Sequence, residues 1–425
     1  MNILNKSLRA ALAAVAALIL VSCGGNNGVE DPARHGMDPT KLAQIDSAVN
    51  ASLCEGNMPG AVVAVVRDQS LVYMKAFGSK SFVPDTVPMT VETMFDVASL
   101  SKCVGTTLSA MQLIEQGRLK LTDPVKEYIP GFEPWTDPET GETQDIIVRD
   151  LMTHSSGLSA YYDPGTFVSR FGANHPDSLV KVIATEVERH FRPGTGFLYS
   201  CLNFITMQNL VERLYGEKLN DYARKNIFEP MGLAHTCYFP LDEDLRTPLC
   251  NAELLPYVAP TTVQADGKPL LGAVHDPLAR LANGGISGNA GVFSNAMDLS
   301  RICMMIMNHG SVGADRKRGY PNPSGQILAP ETVDLMCTIP PENDPQVGRA
   351  LGWDKQSAHS GIRGELFNPE TTLCHTGYTG TSIVIDMESK TAVIILTNRV
   401  HPTDDGLVSP LRARIATIVA GAIKE

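Results

Sequence analysis

The sequence contains no apolar run long enough to cross a membrane. Its longest run, Ala10 to Val21, has twelve residues, whereas a spanning helix needs about 20. Positive charge is also scarce, because 35 Lys and Arg stand against 46 Asp and Glu, for a formal net charge of −11. That balance argues against nucleic-acid binding, which depends on basic surfaces. We therefore expect a small molecule or a peptide as the partner, and no nucleic acid.

Several signatures of metal sites and hydrolases are missing as well. The sequence has no C-x-x-C pair, no H-E-x-x-H and no Cys/His cluster with metal-ligand spacing, so no metal site is predicted. It has no G-x-S-x-G turn, which is the nucleophile turn of the α/β-hydrolases. The composition, 43% hydrophobic and 19% charged, indicates one large globular domain or two to three smaller ones.

The N-terminal apolar run has the features of a targeting segment. Lys6 and Arg9 precede it, and Leu20-Val21-Ser22-Cys23 follows it. This arrangement resembles a bacterial lipoprotein signal with its lipobox. The resemblance implies a signal peptide at 1–22, a lipidated Cys23, a tether at 23–38, and a protein of the cell envelope that meets the membrane only through its lipid anchor. A plain secretory signal or a short buried helix is the alternative.

Eight further cysteines remain once Cys23 is assigned to lipid. Their even number in an exported protein permits disulfides. A domain of this size does not need them, so we expect most of these cysteines to be free and buried.

Apolar periodicity predicts an α/β sequence at both ends of the chain and a helix-rich centre. The predicted elements are a helix from Pro39 to Cys54, a hairpin of Ala61 to Val66 with Leu71 to Phe77, a helix from Ser99 capped by Gly117, strands from Thr381 to Ile385 and Thr391 to Leu396, and a last helix bearing Leu407, Leu411, Ile415 and Ile418. We therefore predict one α/β (α+β) domain at 39–425. Residues of about 39–120 and 310–425 would share a sheet, and about 121–309 would form a mainly helical insertion.

Ser99 and Lys102 form the strongest candidate for chemistry in the sequence. Residues three apart on a helix share a face, so Lys102 would lie one turn from the Ser99 hydroxyl. An ammonium among helix-end dipoles and apolar walls can lose its proton near neutral pH and then accept the proton of serine. The S-x-x-K pattern alone is common, and a capping serine beside a solvated lysine explains it equally well.

Three further segments strengthen the assignment: Pro193 to Ser200, Gly288 to Ser294, and His375 to Gly377. Together with Ser99 and Lys102 they resemble the serine β-lactamase and penicillin-binding-protein superfamily, and most closely its class C-like branch of esterases and D-amino peptidases. The resemblance runs from about Pro59 to Val400. It implies a β-lactamase/transpeptidase-like fold, in which an antiparallel sheet is flanked by N- and C-terminal helices and carries an inserted, mainly helical domain.

The resemblance also implies a role for each matching position. Ser99 matches the nucleophile, Lys102 its activating partner, and Tyr199 the residue that passes a proton to the leaving group. The backbone amides of Ser99 and Tyr378 would form the oxyanion hole. His375, Thr376 and Gly377 would lie on the strand that borders the substrate. This chemistry requires no cofactor.

Two positions depart from the pattern of the lactamases. Cys201 stands where an Asn usually binds the amide carbonyl of the substrate, and Asn203 lies nearby in a different register. His375 replaces a Lys, and an unperturbed His is mostly neutral at pH 7. A fixed charge for a substrate carboxylate is therefore lost at this position. Both changes favour ester or acyl-transfer chemistry over β-lactam hydrolysis.

The leading hypothesis is an exported serine hydrolase that forms an acyl-enzyme at Ser99 on an ester or amide. The alternatives are an acyltransferase that uses a bulky alcohol such as a sugar, glycerol or a sterol or bile-acid-like acceptor, a β-lactamase or D-amino peptidase, and a catalytically silent protein that binds cell-wall peptides. We interpret His154, His275 and Cys374 as structural residues.

Overall fold

The computed structural model describes residues 28–312 and 325–424. The signal peptide predicted at 1–22 and the predicted lipidation site Cys23 therefore lie outside the described residues. The tether expected at 23–38 ends earlier than predicted, because the Glu30 amide donates to the Leu71 carbonyl and the Met37 side chain is fully buried. Met37 also forms a β-bridge with Ile423. This part of the expected tether packs on the domain.

The main sheet has six antiparallel strands in the order β3-β2-β1-β11-β10-β9, so both ends of the chain contribute to it. The strands are β1 (Gly60–Arg67), β2 (Ser70–Ser81), β3 (Val87–Pro88), β4 (Phe95–Asp96), β5 (Trp135–Thr136), β6 (Thr143–Gln144), β7 (Cys237–Tyr238), β8 (Val292–Ser294), β9 (Thr372–Thr376), β10 (Ser382–Asp386) and β11 (Thr391–Thr397). Strands β4, β8 and β7 form a second, smaller sheet, and β5 pairs with β6.

The helices are α1 (Pro39–Leu42), α2 (Gln44–Cys54), α3 (Leu108–Glu115), α4 (Val148–Met152), α5 (Pro164–Phe171), α6 (Pro176–Thr185), α7 (Cys201–Tyr215), α8 (Leu219–Ala223), α9 (Pro277–Leu281), α10 (Ala296–Met307), α11 (Pro330–Cys337) and α12 (Ser409–Ala422). In the described chain, none is long and apolar enough to span a membrane. The mixed α/β fold with an antiparallel sheet, predicted from periodicity and resemblance, is confirmed.

Strand β1 shows why the sheet is buried on both faces. Ala61, Val63 and Val65 pack with α1, α2 and α12, whereas Val62 and Ala64 pack with the helical region on the other face. Successive side chains of a strand point to opposite faces, so a continuous Val/Ala run fits a strand covered on both sides. The predicted hairpin is confirmed, with a tight turn at Asp68 and Gln69, which both have positive φ.

Two helix predictions need correction. Helix α12 begins at Ser409 with Pro410 in its first turn, so Leu407 precedes the helix and is 59% exposed. Proline fits the first turn because its missing N–H has no partner there. The helix after Ser99 starts as predicted, but Lys102–Thr107 is wound as a π-helix that leads into α3.

The cysteines are free thiols in the described part of the chain, and Cys54 and Cys250 are the exposed ones. Cys374 is fully buried in β9, as interpreted from its strand position.

Candidate active site

Ser99 lies in the turn between β4 and the π-helical segment. Asp96, at the end of β4, is buried, and its Oδ1 accepts a hydrogen bond from the Ala98 amide at 2.9 Å. Ala98 has φ 48°, a left-handed conformation that costs energy for a residue other than glycine. The Asp96 carboxylate thus stabilises a strained turn that delivers Ser99 to the start of the helix.

The turn after β9 is joined to the Ser99 turn by side-chain hydrogen bonds. Thr379 Oγ1 donates to the Asp96 carbonyl at 2.7 Å, and Thr381 Oγ1 donates to the Val97 carbonyl at 2.9 Å. Gly377 is required at this junction, because a Cβ there would overlap the Val97 carbonyl oxygen and Thr381 Oγ1. Strand β9, which carries His375 and Thr376, and the following Gly377 are thereby held against the Ser99 turn.

Lys102 is fully buried beneath Ser99, and three acceptors surround its amine. Its Nζ lies 3.0 Å from Ser99 Oγ, 2.9 Å from the Asn289 carbonyl oxygen and 3.7 Å from Cys201 Sγ. An ammonium has three N–H donors and no acceptor. The site therefore matches the protonated form of Lys102.

The charge state of Lys102 differs from the expectation of an amine that loses its proton near neutral pH. Desolvation by burial lowers the pKa of Lys102, but the anionic forms of Cys201 and Tyr199 would attract the ammonium, and its pKa is raised overall. Burial also raises the pKa of Tyr199, although interactions with Lys102 and Ser99 oppose that shift. The resting site thus pairs an ammonium with a phenol.

Tyr199 is held by stacking and by its contact with the buried lysine. Its ring centroid lies 4.4 Å from that of His154 and 5.0 Å from Lys102 Nζ. The His154 Nδ1 accepts hydrogen bonds from the Ser200 amide and from Asn203 Nδ2, at 3.1 Å and 3.2 Å. His154 is therefore a structural residue, as interpreted from the sequence, and it positions the segment that carries Tyr199.

Asn203 is not brought to the substrate side, although the sequence suggested it as a binding residue. Its Oδ1 accepts a hydrogen bond from Ser156 Oγ at 2.6 Å and its Nδ2 donates to His154. The side chain is fully buried on α7. Both polar atoms of the amide therefore hydrogen-bond within the protein.

A cavity of about 440 Å³ opens beside Ser99. Of the residues expected at the site, it is lined by Ser99, Tyr199, His375, Thr376, Gly377 and Tyr378. Sequence reasoning missed a second group that lines it, namely Arg349, Asp354, His359, Arg399, Gly406, Leu407, Val408, Ser409 and Arg412. No motif marks these positions, and they come from segments far apart in the chain.

His375 is neutral in this environment. Its Nδ1 lies 2.9 Å from the Thr376 carbonyl oxygen and therefore donates to it, which leaves the lone pair on Nε2. Burial, followed by the positive charges of Arg349 and Lys102, holds the pKa of His375 well below its usual value. The expectation that this position carries no fixed charge agrees with the structure.

The two amides expected to form the oxyanion hole are available. Within residues 28–312 and 325–424, neither the Ser99 amide nor the Tyr378 amide donates to a backbone acceptor. The Tyr378 side chain turns away, because its hydroxyl donates to Asp404 at 2.7 Å and its ring stacks on His275. His275 Nε2 in turn is 2.8 Å from Thr262 Oγ1, which agrees with the structural role expected for it.

Comparisons with known proteins agree with this geometry. The Beta-lactamase family model matches residues 33–417. The chain is 30% identical over 376 residues to an N-acetylmuramyl-L-alanine amidase of Bacillus subtilis (strain 168), covering 85% of this chain and 81% of the relative. It is 28% identical over 402 residues to a protein of Escherichia coli (strain K12) provisionally named D-alanyl-D-alanine carboxypeptidase, covering 89% and 87%.

Two solved structures share the fold at low sequence identity. EstCE1, described as a hydrolase with promiscuous acyltransferase activity, superposes with a TM-score of 0.67 at 22% identity, over 90% of this chain and 99% of its own. Simvastatin synthase (LovD) from Aspergillus terreus superposes with a TM-score of 0.65 at 20% identity, over 90% and 98%. These two similarities concern the fold alone.

Proposed function

Because the chain belongs to the Beta-lactamase family, we propose that it cleaves an ester or amide through an acyl-enzyme formed on Ser99. The observation that carries this proposal is the 3.0 Å contact of Ser99 Oγ with Lys102 Nζ, at the edge of a cavity that Tyr199 also lines. A nucleophile, a proton carrier and two free amides meet there, which is the set that acyl transfer needs.

Each protein group has a defined task in the proposed reaction. Tyr199 first releases its phenolic proton to solvent, a step that the charge of the adjacent Lys102 favours. Ser99 Oγ then attacks the substrate carbonyl carbon while the Tyr199 phenolate accepts the hydroxyl proton. The Lys102 ammonium, 5.0 Å from the ring centroid, stabilises that phenolate. Tyr199 then gives the proton to the leaving group as the C–O or C–N bond breaks. Water attacks the acyl-enzyme by the same path and releases the free acid.

The names of the two relatives favour peptide substrates of the cell-wall type. Export to the cell envelope, with the lipid anchor at Cys23, fits such a substrate and is part of the proposal. Cys201 and His375 depart from the pattern of the lactamases. Small esters therefore remain the second proposed class of substrate.

Fluorophosphonate labelling followed by intact-mass spectrometry tests the nucleophile. Wild-type protein is expected to gain one adduct, and peptide mapping should place it on Ser99. The Ser99→Ala variant should remain unlabelled while circular dichroism shows a native fold. If the alanine variant is labelled at the wild-type rate, another residue is the nucleophile.

A second candidate is acyl transfer, which is supported by the pairing of the carboxylate at the cavity. In the described part of the chain, Asp354 is the single carboxylate lining the cavity. Ser360 Oγ donates to it at 2.6 Å and Arg349 pairs with it at 3.2 Å. This leaves Tyr199 to activate the acceptor, and a phenolate can deprotonate an alcohol as well as water.

Product partition distinguishes transfer from hydrolysis. Water is present at ~55 M, but a well-oriented bound acceptor can reach effective molarities of about 10⁵ M or more. With a fixed acyl donor, we expect millimolar glycerol, monosaccharide or sterol-type alcohol to divert a measurable share of acyl groups into ester. Free acid as the sole product with all three alcohols would leave hydrolysis as the function.

A further inference from the structure

The segment 288–294 matches the family resemblance but has no task in the proposed reaction. It lies between the π-helical segment that carries Lys102 and helix α7. The buried Asn289 accepts a hydrogen bond from Lys102 Nζ on its carbonyl oxygen, at 2.9 Å. On the other side, a Cβ at Gly288 would overlap the Phe204 carbonyl oxygen of α7. The segment therefore supplies an acceptor to the buried lysine of the site.

Two buried hydroxyls fasten this segment to the helix that follows Ser99. Thr106 Oγ1 donates to the Gly288 carbonyl at 2.8 Å. The Val292 amide donates to Ser101 Oγ at 3.0 Å. Both hydroxyl residues are fully buried, where a hydrogen bond is costly to lose. The bonds lie on either side of Asn289 in the chain, so they hold the peptide that accepts from the lysine.

The π-helical winding accompanies this arrangement. A π-helix closes its turns with i→i+5 hydrogen bonds, over more residues than an α-helix, and such turns are frequent at functional sites. Lys102 and Thr106 both belong to the π-helical segment and contact adjacent residues of the segment 288–294. The helix that carries the lysine thus also carries the hydroxyl that fastens the acceptor of the lysine.

Helix α7 and the segment itself fix the same peptide from the other side. The Gly288 amide donates to Gln208 Oε1 at 2.9 Å, and Gln208 Nε2 donates to the Ile286 carbonyl at 3.1 Å. Ser287 Oγ donates to Asn289 Oδ1 at 2.6 Å. The Gly288 amide and the Asn289 side chain are therefore already fixed, and the Thr106 hydroxyl completes the set at the Gly288 carbonyl.

The position of the Asn289 carbonyl matters for the charge of the lysine. Hydrogen bonds from an ammonium to oxygen acceptors favour its charged form. In the proposed function, on which this step rests, the Lys102 ammonium stabilises the Tyr199 phenolate. We propose that Thr106 is a positioning residue, whose hydroxyl holds the Asn289 carbonyl where it accepts a hydrogen bond from the Lys102 ammonium. Without this hydroxyl the ammonium loses an aligned acceptor, and the phenolate forms at a higher pH.

Tyr199 shares the field of Lys102 with other titratable groups, so its ionisation must be identified. These groups, which interact with the lysine charge, include Cys103, His154, Cys201, Asp276 and His375. Burial holds the pKa of both histidines well below its usual value and raises the pKa of both thiols. Comparison with Tyr199→Phe therefore assigns a titration to the tyrosine.

The pH dependence of kcat/KM for a p-nitrophenyl ester tests the proposal. In wild-type protein the acid limb of this profile reports the formation of the Tyr199 phenolate. In Thr106→Val the limb should move to higher pH by about one unit, because a hydrogen bond to a charged group is comparable in free energy to one pKa unit. Thr106→Ser retains the hydroxyl and should restore the wild-type limb. Lower rates in Thr106→Val with an unmoved limb would overturn the proposal, because a structural role alone explains them.

Ser109→Ala is the matched control. Ser109 is a fully buried hydroxyl residue of the same continuous helix, and its Oγ donates to the Gly105 carbonyl at 2.7 Å. Its loss should leave the acid limb unmoved, and a shift as large as in Thr106→Val contradicts the proposal. If circular dichroism shows that Thr106→Val does not fold, Thr106→Ala removes the same hydroxyl without placing a methyl group against the Gly288 carbonyl. An unmoved limb in that variant also overturns the proposal.

Failure of this proposal can be told apart from failure of the proposed function. If fluorophosphonate labels Ser99 but the limb does not move in Thr106→Val, only the role of Thr106 is wrong. If wild-type protein cleaves no ester, tyrosinate absorbance still reports the ionisation of Tyr199, when each protein is compared with its own Tyr199→Phe variant. Tyr199 should ionise at a lower pH in the wild-type background than in Thr106→Val, and equal values overturn the proposal.

Discussion

At the scale of single residues, Cys201 changes the electrostatics of the site rather than its layout. Its Sγ is 3.7 Å from Lys102 Nζ, where it completes the set of three acceptors. Burial raises the pKa of Cys201 overall, although the lysine charge opposes the shift. A neutral thiol is a weak acceptor, so the ammonium is held mainly by Ser99 Oγ and the Asn289 carbonyl.

Removing either Lys102 or the Tyr199 hydroxyl should lower turnover strongly. For Lys102→Ala and Tyr199→Phe we expect kcat on a reactive ester to fall by about 10²-fold or more, since Tyr199 carries the transferred proton and the Lys102 ammonium stabilises its phenolate. Steady-state kinetics of a p-nitrophenyl ester measures the effect.

The phenylalanine variant is informative because it retains the ring that stacks on His154. Tyr162→Phe is its control, because it removes a hydroxyl that contacts Arg170 and does not line the cavity. Full activity in Tyr199→Phe would remove the tyrosine from the mechanism.

At the scale of elements, the close approach of two turns creates the site. The segment after β9 meets the Ser99 turn through hydrogen bonds from Thr379 and Thr381. These bonds bring the Tyr378 amide and the Ser99 amide to the same cavity. The proposed oxyanion hole would therefore combine amides from two elements that are separated by most of the chain.

Substitution of Gly377 should disrupt this junction. In Gly377→Ala the new methyl group would overlap the Val97 carbonyl oxygen. Overpacking of this kind costs about 1–3 kcal/mol, and the shift would misalign the oxyanion hole. We expect a lower Tm together with a loss of ester kcat/KM.

Gly361→Ala provides the control, because a Cβ at that position meets no atom within 4 Å. It should retain the wild-type Tm and kcat/KM. A Gly377→Ala protein with both quantities unchanged would show that the two turns can separate without affecting the site.

At the scale of the whole molecule, the chain folds as a sheet with helices on both faces, and the cavity lies where both ends of the sequence meet the helical region. Residues from Glu30 onward already pack on the domain. A lipid at Cys23 would therefore be joined to the domain by a short segment, which would hold the catalytic domain close to the membrane.

The proposed lipid at Cys23 can be tested by palmitate labelling and detergent partition. Wild-type protein expressed with its first 22 residues should incorporate labelled palmitate and partition into the detergent phase, because acyl chains bury many CH₂ groups in lipid. Cys23→Ala should do neither. Cys54→Ala, which removes an exposed thiol of the domain, is the control and should behave as wild type. Palmitate incorporation that persists in Cys23→Ala would indicate another site.

The sequence by itself determined the local features of this protein. A Val/Ala run and a two-residue turn specify the β1–β2 hairpin, and three-residue spacing specifies that Lys102 lies beneath Ser99. Such features depend on the regular repeat of side chains along a helix or strand, which can be recognised from the spacing of nearby residues. The family motifs added Tyr199 and the strand of His375, and residues of both line the cavity.

Only the tertiary structure decided the charges of the site. Arg349 and Arg412 reach the cavity from segments without a motif, and the pKa of Lys102 depends on its burial and on Cys201 and Tyr199, whose anionic forms would attract its ammonium. Asn203, two residues after Cys201 in the sequence, hydrogen-bonds instead to His154 and Ser156. Electrostatic interactions act through space and depend on burial. They therefore cannot be predicted from the order of the residues alone.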